Sequence, residues 1–450
     1  MKYLGLPRRP GRRRTATAAS VLLLPLTLSS LSVLTACSDD DDTATPPVAS
    51  PAATASGARC ETDPPAPDRG ADAAPAATGA YTLESGDEAA PRKTRFKAKK
   101  DDESALLVSG SGKLSTRDSS LGKRGDTSSV DASGGHGLNA AALARDGGEL
   151  SLSGGRFITK GKGATAVFAS GKGARATLSA NSVRTKGASA RGVMASYGGR
   201  LDLTYTEIDT AGAQAAPVAT GPGGAKVTLS GGTMTSAGCG SPGVQTSGDV
   251  SVTGTLFDLA NSEAFTVESG GSLSLKDVRA TAAAGGVVLR GGDETSFSMS
   301  DGSIQAAEGD IFSVEQAVAD IKVTGGAELK TKDGVLLRVR DKGVATFAAD
   351  NERLNGDVIV SNGSAVLDLS GSTTLDGAVA GATMTLGARA KWSVSGDSWV
   401  KGLELGSGAR VSDVIDGNGY SVTYDRATSP GLGGKTYRLN GGGTLRPGKS

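Results

Sequence analysis

From Gly147 onward one short pattern keeps returning, and little but a coil stacked on itself satisfies it. Gly-Gly-Glu-Leu-Ser-Leu at 147–152 is followed by Gly-Ala-Arg-Ala-Thr-Leu at 173–178 and Gly-Gly-Arg-Leu-Asp-Leu at 198–203. Gly-Ala-Lys-Val-Thr-Leu at 224–229 and Ser-Gly-Asp-Val-Ser-Val at 247–252 continue it. The last apolar residue falls at 152, 178, 203, 229 and 252, then at Leu275, Met299, Val323, Phe347, Leu369 and Val394, in steps of 22 to 26 residues. A fixed period in this range, with one strand-like stretch per unit, marks a solenoid.

Within each triplet the outer two residues point inward and the middle one outward, because strand side chains alternate. Leu150, Ala176, Leu201, Val227, Val250, Leu273, Phe297, Ile321, Ala345, Leu367 and Trp392 form one inward column. The outward column between the two is mostly Ser and Thr, with Asp202 and Asp368. A second strand recurs at Phe157, Val183, Ile208, Met234, Phe257, Val278, Ile304 and Leu329, and a third around Val167, Val193, Val218, Val244, Val267, Val288, Val314 and Leu337. Three strands per coil of 23–26 residues predict an all-β chain, a single-stranded parallel β-helix. It is right-handed by the rule for parallel crossovers. Gly supplies 67 of 450 residues, twice the usual share, with no collagen rhythm; a turn at every corner uses them. Between 105 and 424 the only prolines are Pro217, Pro222 and Pro242, all in expected turns.

The expected organisation has four parts. Residues 1–36 read as a signal peptide: Arg8, Arg9 and Arg12 to Arg14 precede an apolar stretch from Ala18 to Val33. Leu34-Thr35-Ala36-Cys37 resembles the bacterial lipobox, which implies cleavage before Cys37 and lipidation of its sulfur. Residues 37–104, with seven prolines between 38 and 80 and a basic run from Arg92 to Lys100, read as a disordered tether. The β-helix is expected over 105–424, with 105–146 as its N-terminal cap and some eleven or twelve regular coils. That makes a rod roughly 55 Å long. A capping hairpin is expected in 425–450.

The distal part carries a family resemblance. Leu354-Asn-Gly-Asp-Val-Ile-Val, Ser372-Thr-Thr-Leu-Asp-Gly-Ala378 and Trp392-Ser-Val-Ser-Gly-Asp-Ser-Trp-Val400, with Leu403 and Leu405, look like the end of a pertactin-like autotransporter passenger. Such passengers close with a Trp-x-Val-x-x-Asp-Ser-x-Val-x-x-Leu coil. The resemblance implies an exported, surface-facing β-helix. The family continues into a membrane barrel, whereas this sequence stops at Ser450, so a lipoprotein without the translocator is expected.

Little catalytic chemistry is legible. His136 is the single histidine, set in Gly135-His-Gly137 like the Gly-His-Gly of β-helical polygalacturonases. The companion motifs of that family are missing, and a turn histidine is expected. No cofactor or metal is expected, although the turn carboxylates Asp293, Glu294, Asp301, Glu308 and Asp310 keep a polysaccharide lyase or hydrolase as the alternative. Cys60 and Cys239 are the thiols left for a candidate disulfide in an exported protein.

Net charge is +1 and aromatics are 4%, so neither a nucleic-acid partner nor a broad sugar-stacking surface is expected. Charge is instead local: nine basic residues and no acidic one lie between 153 and 201. Arg175, Arg200 and Lys226 should stack in one column bounded by Glu149 and Asp249, with Lys160 and Lys186 near by. The column is either a solvated ladder relieved by its acidic ends or an anion-binding stripe for an acidic glycan, lipopolysaccharide phosphates or a host surface. The expected protein is a monomeric, non-catalytic, membrane-anchored envelope β-helix of the outer membrane or cell surface, serving adhesion or surface interaction.

Overall fold

The computed structural model describes residues 74–448. They form a parallel β-solenoid of about 15 turns, so the rod rises about 70 Å at the ~4.8 Å spacing of paired strands. Each regular coil carries three short strands. The coil that opens at Glu149–Ser153 turns at Gly154 into Arg156–Thr159, then crosses to Val167–Ser170. In the regular coils the strands pair in parallel with their counterparts one coil away, as Leu150 does with Ala176 and Ala176 with Leu201. The first and second strands alternate buried and exposed. From Val167–Ser170 and Val193–Ser196 up to Phe265–Val267 the third reads buried throughout.

The third strand is covered outside by an insertion. Val130–His136 is a helix capped by Ser129, whose side chain accepts from the Ala132 N–H, and closed by Gly137 in the left-handed region. Gly137 lies directly on Phe168 and Leu143: a Cβ there would stand 2.7 Å and 2.8 Å from their side chains. Leu107, Ala140, Leu143, Phe168, Met194 and Ala219 make a second apolar cluster on this side. His136 therefore sits in the last turn of a helix rather than in a coil turn, its ring stacked on Tyr197 at 4.6 Å.

Inside, the main core runs the length of the described solenoid. Phe297, Phe312 and Phe347 meet edge to face at 5.4 Å and 5.7 Å, a geometry that adds about 0.5–1.5 kcal/mol per pair beyond burial. One corner is built without side chains. Gly125, Gly161, Gly187, Gly212 and Gly238 stack coil on coil, and a Cβ on any of the last four would lie within 2 Å of the carbonyl oxygen of the glycine beneath. Close backbone approach requires glycine here; positive φ plays no part.

The solenoid begins earlier than the sequence reading placed it. Thr78–Gly79, Thr82–Leu83, Glu88–Ala89 and Arg95–Ala98 already pair in parallel with the next coil. The basic run is a strand: Arg95 and Lys97 face out, Phe96 and Ala98 face in, and Phe96 meets Tyr81 edge on at 5.3 Å. Two inward apolar residues suffice because the neighbouring coil supplies the rest of the core. Residues 105–146 are accordingly regular strands plus the helical insertion.

The distal register also differs. Ile321 pairs with Phe347, and Phe347 with Leu367, two residues from the expected alignment. The next first-strand rung is Met384 and Leu386, followed by Leu403 and Leu405. Trp392 belongs to the second-strand ladder, between Leu375 and Ile415. In the second strand, Ala280 rather than Val278 continues from Phe257 to Ile304. In the third, Phe265, Val287, Phe312 and Leu337 are in register. At the C-terminal end Tyr437–Arg438 pairs antiparallel with Thr444–Pro447, which also extends the third-strand ladder through Val422 and Leu445.

Candidate binding surface

The first-strand column has the register read from the sequence. Glu149, Arg175, Arg200, Lys226 and Asp249 pair in succession, one per coil. Its positive charge, however, is answered on the spot. Asp202, in the adjacent outward column, lies 3.5 Å from Arg175 Nε and 3.3 Å from Arg200 Nε, and Asp249 lies 3.1 Å from Lys226 Nζ. These pairs are half exposed, so each contributes at most about 1 kcal/mol to stability. They nevertheless leave the column close to neutral.

Lys160 and Lys186 lie elsewhere, just after the second strand and one coil apart. The Lys160 N–H donates to Lys123 O and the Lys186 N–H to Thr159 O, which continues the strand register. Lys99, from the basic run, and Arg124, which the sequence did not single out, extend their column: the Arg124 N–H donates to Ala98 O, placing Arg124 beside Lys99 and beneath Lys160. All four are exposed. Lys99 was hidden by its assignment to the tether. Arg124 was hidden by the helical insertion, which makes its coil 36 residues long, from Thr116 to Leu152.

Lys123 and Glu352 are the most deeply buried charges among the described residues. Lys123 is fully buried, its Nζ donating to Lys100 O at 2.6 Å, and burial holds its pKa below the usual lysine range against the pull of Asp101, Glu103, Asp102 and Asp126. Glu352 is buried at the first corner, where Oε1 accepts from the Gly326 N–H at 2.7 Å and Oε2 has no partner. Burial raises its pKa, assisted by Asp301 and Asp350 and opposed by the N–H groups of Gly326 and Ala327. The folded state therefore holds the Glu352 proton more tightly than the unfolded chain does. The stability this gives is complete below the unfolded carboxyl pKa and is lost as pH rises through the folded one. Glu352→Gln keeps an acceptor for Gly326 and removes the charge. Scanning calorimetry should find it melting about 1–2 °C above the parent at pH 8, with the gap closing towards pH 4. A gap independent of pH would contradict this.

Of the turn carboxylates, Asp310 is engaged by Arg338 through two bonds of 2.7 Å and 3.0 Å. Among the described residues no group of three or more His, Cys, Asp and Glu is placed to hold a metal ion. Cys239 is disulfide-bonded; its expected partner Cys60, and Cys37, where lipidation is expected, lie outside the described residues.

No protein-family profile matches the chain. The chain is similar to the BrkA autotransporter of Bordetella pertussis (strain Tohama I), at 27% identity over 333 residues. That match covers 66% of this chain and 32% of the BrkA autotransporter, so the chain spans about a third of the relative's length.

Proposed function

We infer that this chain, a β-helix of the pertactin-like autotransporter-passenger type, is a non-catalytic envelope protein that presents its rod outside the cell for adhesion. Lipid on Cys37 would anchor it. The observation that carries this reading is the regularity of the outward columns. Ser151, Thr177, Thr228, Ser251, Ser274 and Ser298 follow one another on successive coils, interrupted only by Asp202. Such a face suits distributed contact along a partner more than a single reacting centre. The similarity to an autotransporter supports export and surface exposure.

The anchor and the exposure are tested together in cells producing the full chain. Labelled palmitate should enter the parent protein, and antibody should reach the rod on intact cells. Cys37→Ser should lose the label and leave the membrane fraction almost completely. Label retained by the Cys37→Ser variant would remove the lipid anchor from the proposal, and a rod inaccessible on intact cells would remove the surface role.

A further inference from the structure

The second-strand face of the first four described coils carries charge of one sign. Its outward positions run Arg95, Lys97 and Lys99 in the first coil, Arg124 in the next, then Arg156 and Lys160, then Arg184 and Lys186. All eight are exposed. No acidic residue occurs in the four segments 95–99, 120–124, 156–160 and 182–186; the first on this face are Glu207 and Asp209, one coil further. Asp209 lies 3.7 Å from Arg184 and marks the edge. Among the described residues none of the other seven has an ion-pair partner within 4 Å. The corner carboxylates Asp101 and Asp126 stand two residues beyond Lys99 and Arg124 and are turned to the backbone, accepting from the N–H groups of Asp126 and Lys162.

The patch measures about 15 Å on a side, with its columns repeating at ~4.8 Å along the rod axis. Like charges held at that spacing repel, and a bound polyanion converts the repulsion into attraction. We propose that this patch docks a linear acidic polysaccharide, whose charges recur sugar by sugar along the rod axis as the columns do coil by coil. Among the outward positions of the four segments only Ile158 is large and apolar, which offers a bilayer little to insert, and none is aromatic, which offers unpaired bases nothing to stack on. The inference rests on the surface reading above and names the ligand class of that rod.

The test uses the purified full chain with immobilised heparin as probe, neutral dextran as control, and phosphatidylglycerol vesicles and duplex DNA as competitors. Heparin should bind and lose affinity steeply with added salt. Replacing Lys99, Arg124, Lys160 and Lys186 by Glu should weaken binding by on the order of a hundredfold. The milder Lys160→Gln with Lys186→Gln should cost about tenfold without altering the circular dichroism melt, which keeps the test decisive if the four-fold variant misfolds. Arg175→Gln with Arg200→Gln, in the neutralised column, should change affinity less than about threefold. No heparin binding at low salt, equal losses in both columns, or preference for vesicles or DNA over heparin would overturn the proposal. If heparin fails while the rod remains exposed on intact cells, this inference falls and the surface reading stands.

Discussion

Gly212→Ala is expected to destabilise the rod by more than about 3 kcal/mol, far beyond the usual cost of so small a change. The new Cβ would lie 1.9 Å from the Gly187 carbonyl oxygen and 2.4 Å from its carbon. Both atoms are backbone of the neighbouring coil and have no rotamer with which to yield. Relief requires the two coils to part, yet their separation is fixed by hydrogen bonds on all three strands. Gly292 serves as the control: nothing lies within 4 Å of its Cβ position and its φ is not in the left-handed region, so Gly292→Ala should stay within about 0.5 kcal/mol of the parent. Thermal melts of the two variants check this. A Gly212→Ala protein melting with the parent would mean that the corner is softer than its geometry implies.

The second large effect is expected at Trp392. Its side chain is wholly buried and its Nε1–H donates to Gly377 O at 2.9 Å. Trp392→Ala should cost about 3–5 kcal/mol through the cavity, and it strands a buried carbonyl as well. Because each coil of a solenoid touches only its neighbours, the damage should be regional. Hydrogen exchange should quicken across 353–448 while 142–252 keeps its protection. Trp392→Phe, which retains most of the volume and loses the bond, should fall between the two. Uniform loss of protection along the chain would count against a solenoid whose stability is assembled coil by coil.

How far the sequence reveals this molecule depends on what each feature needs in order to be seen. Period and alternation are local, so the strands and the Arg175–Arg200–Lys226 column are legible at once. Register between coils is less so. Val318–Thr324 turns Ala319, Ile321 and Val323 inward, and Gly343–Asp350 turns Ala345, Phe347 and Ala349 inward. Sliding one strand by two residues keeps every side chain on its proper face, and only the observed pairing decides between the alternatives. The first coil was obscured by composition, since Arg95 and Lys97 dominate a count while Phe96 and Ala98 do the burying. Relief of the basic column at its acidic end, as Asp249 gives Lys226, was legible; that Asp202, two residues from Arg200, would reach arginines on two different coils was not. The column from Lys99 to Lys186 has the opposite history: its members are plain in the sequence but come together only through a 36-residue coil.

That long coil has an outcome for how such a rod could change. From Thr116 to Leu152 the chain spends 36 residues on one rung, and from Leu369 to Leu386 it spends 17. Both advance the rod by the same strand spacing. Height and content are therefore uncoupled. A loop can be grafted between two strands of a coil, as the Val130–His136 helix is, without moving what lies above or below it. Duplicating a whole coil would lengthen the reach by one rung and leave every existing face in place.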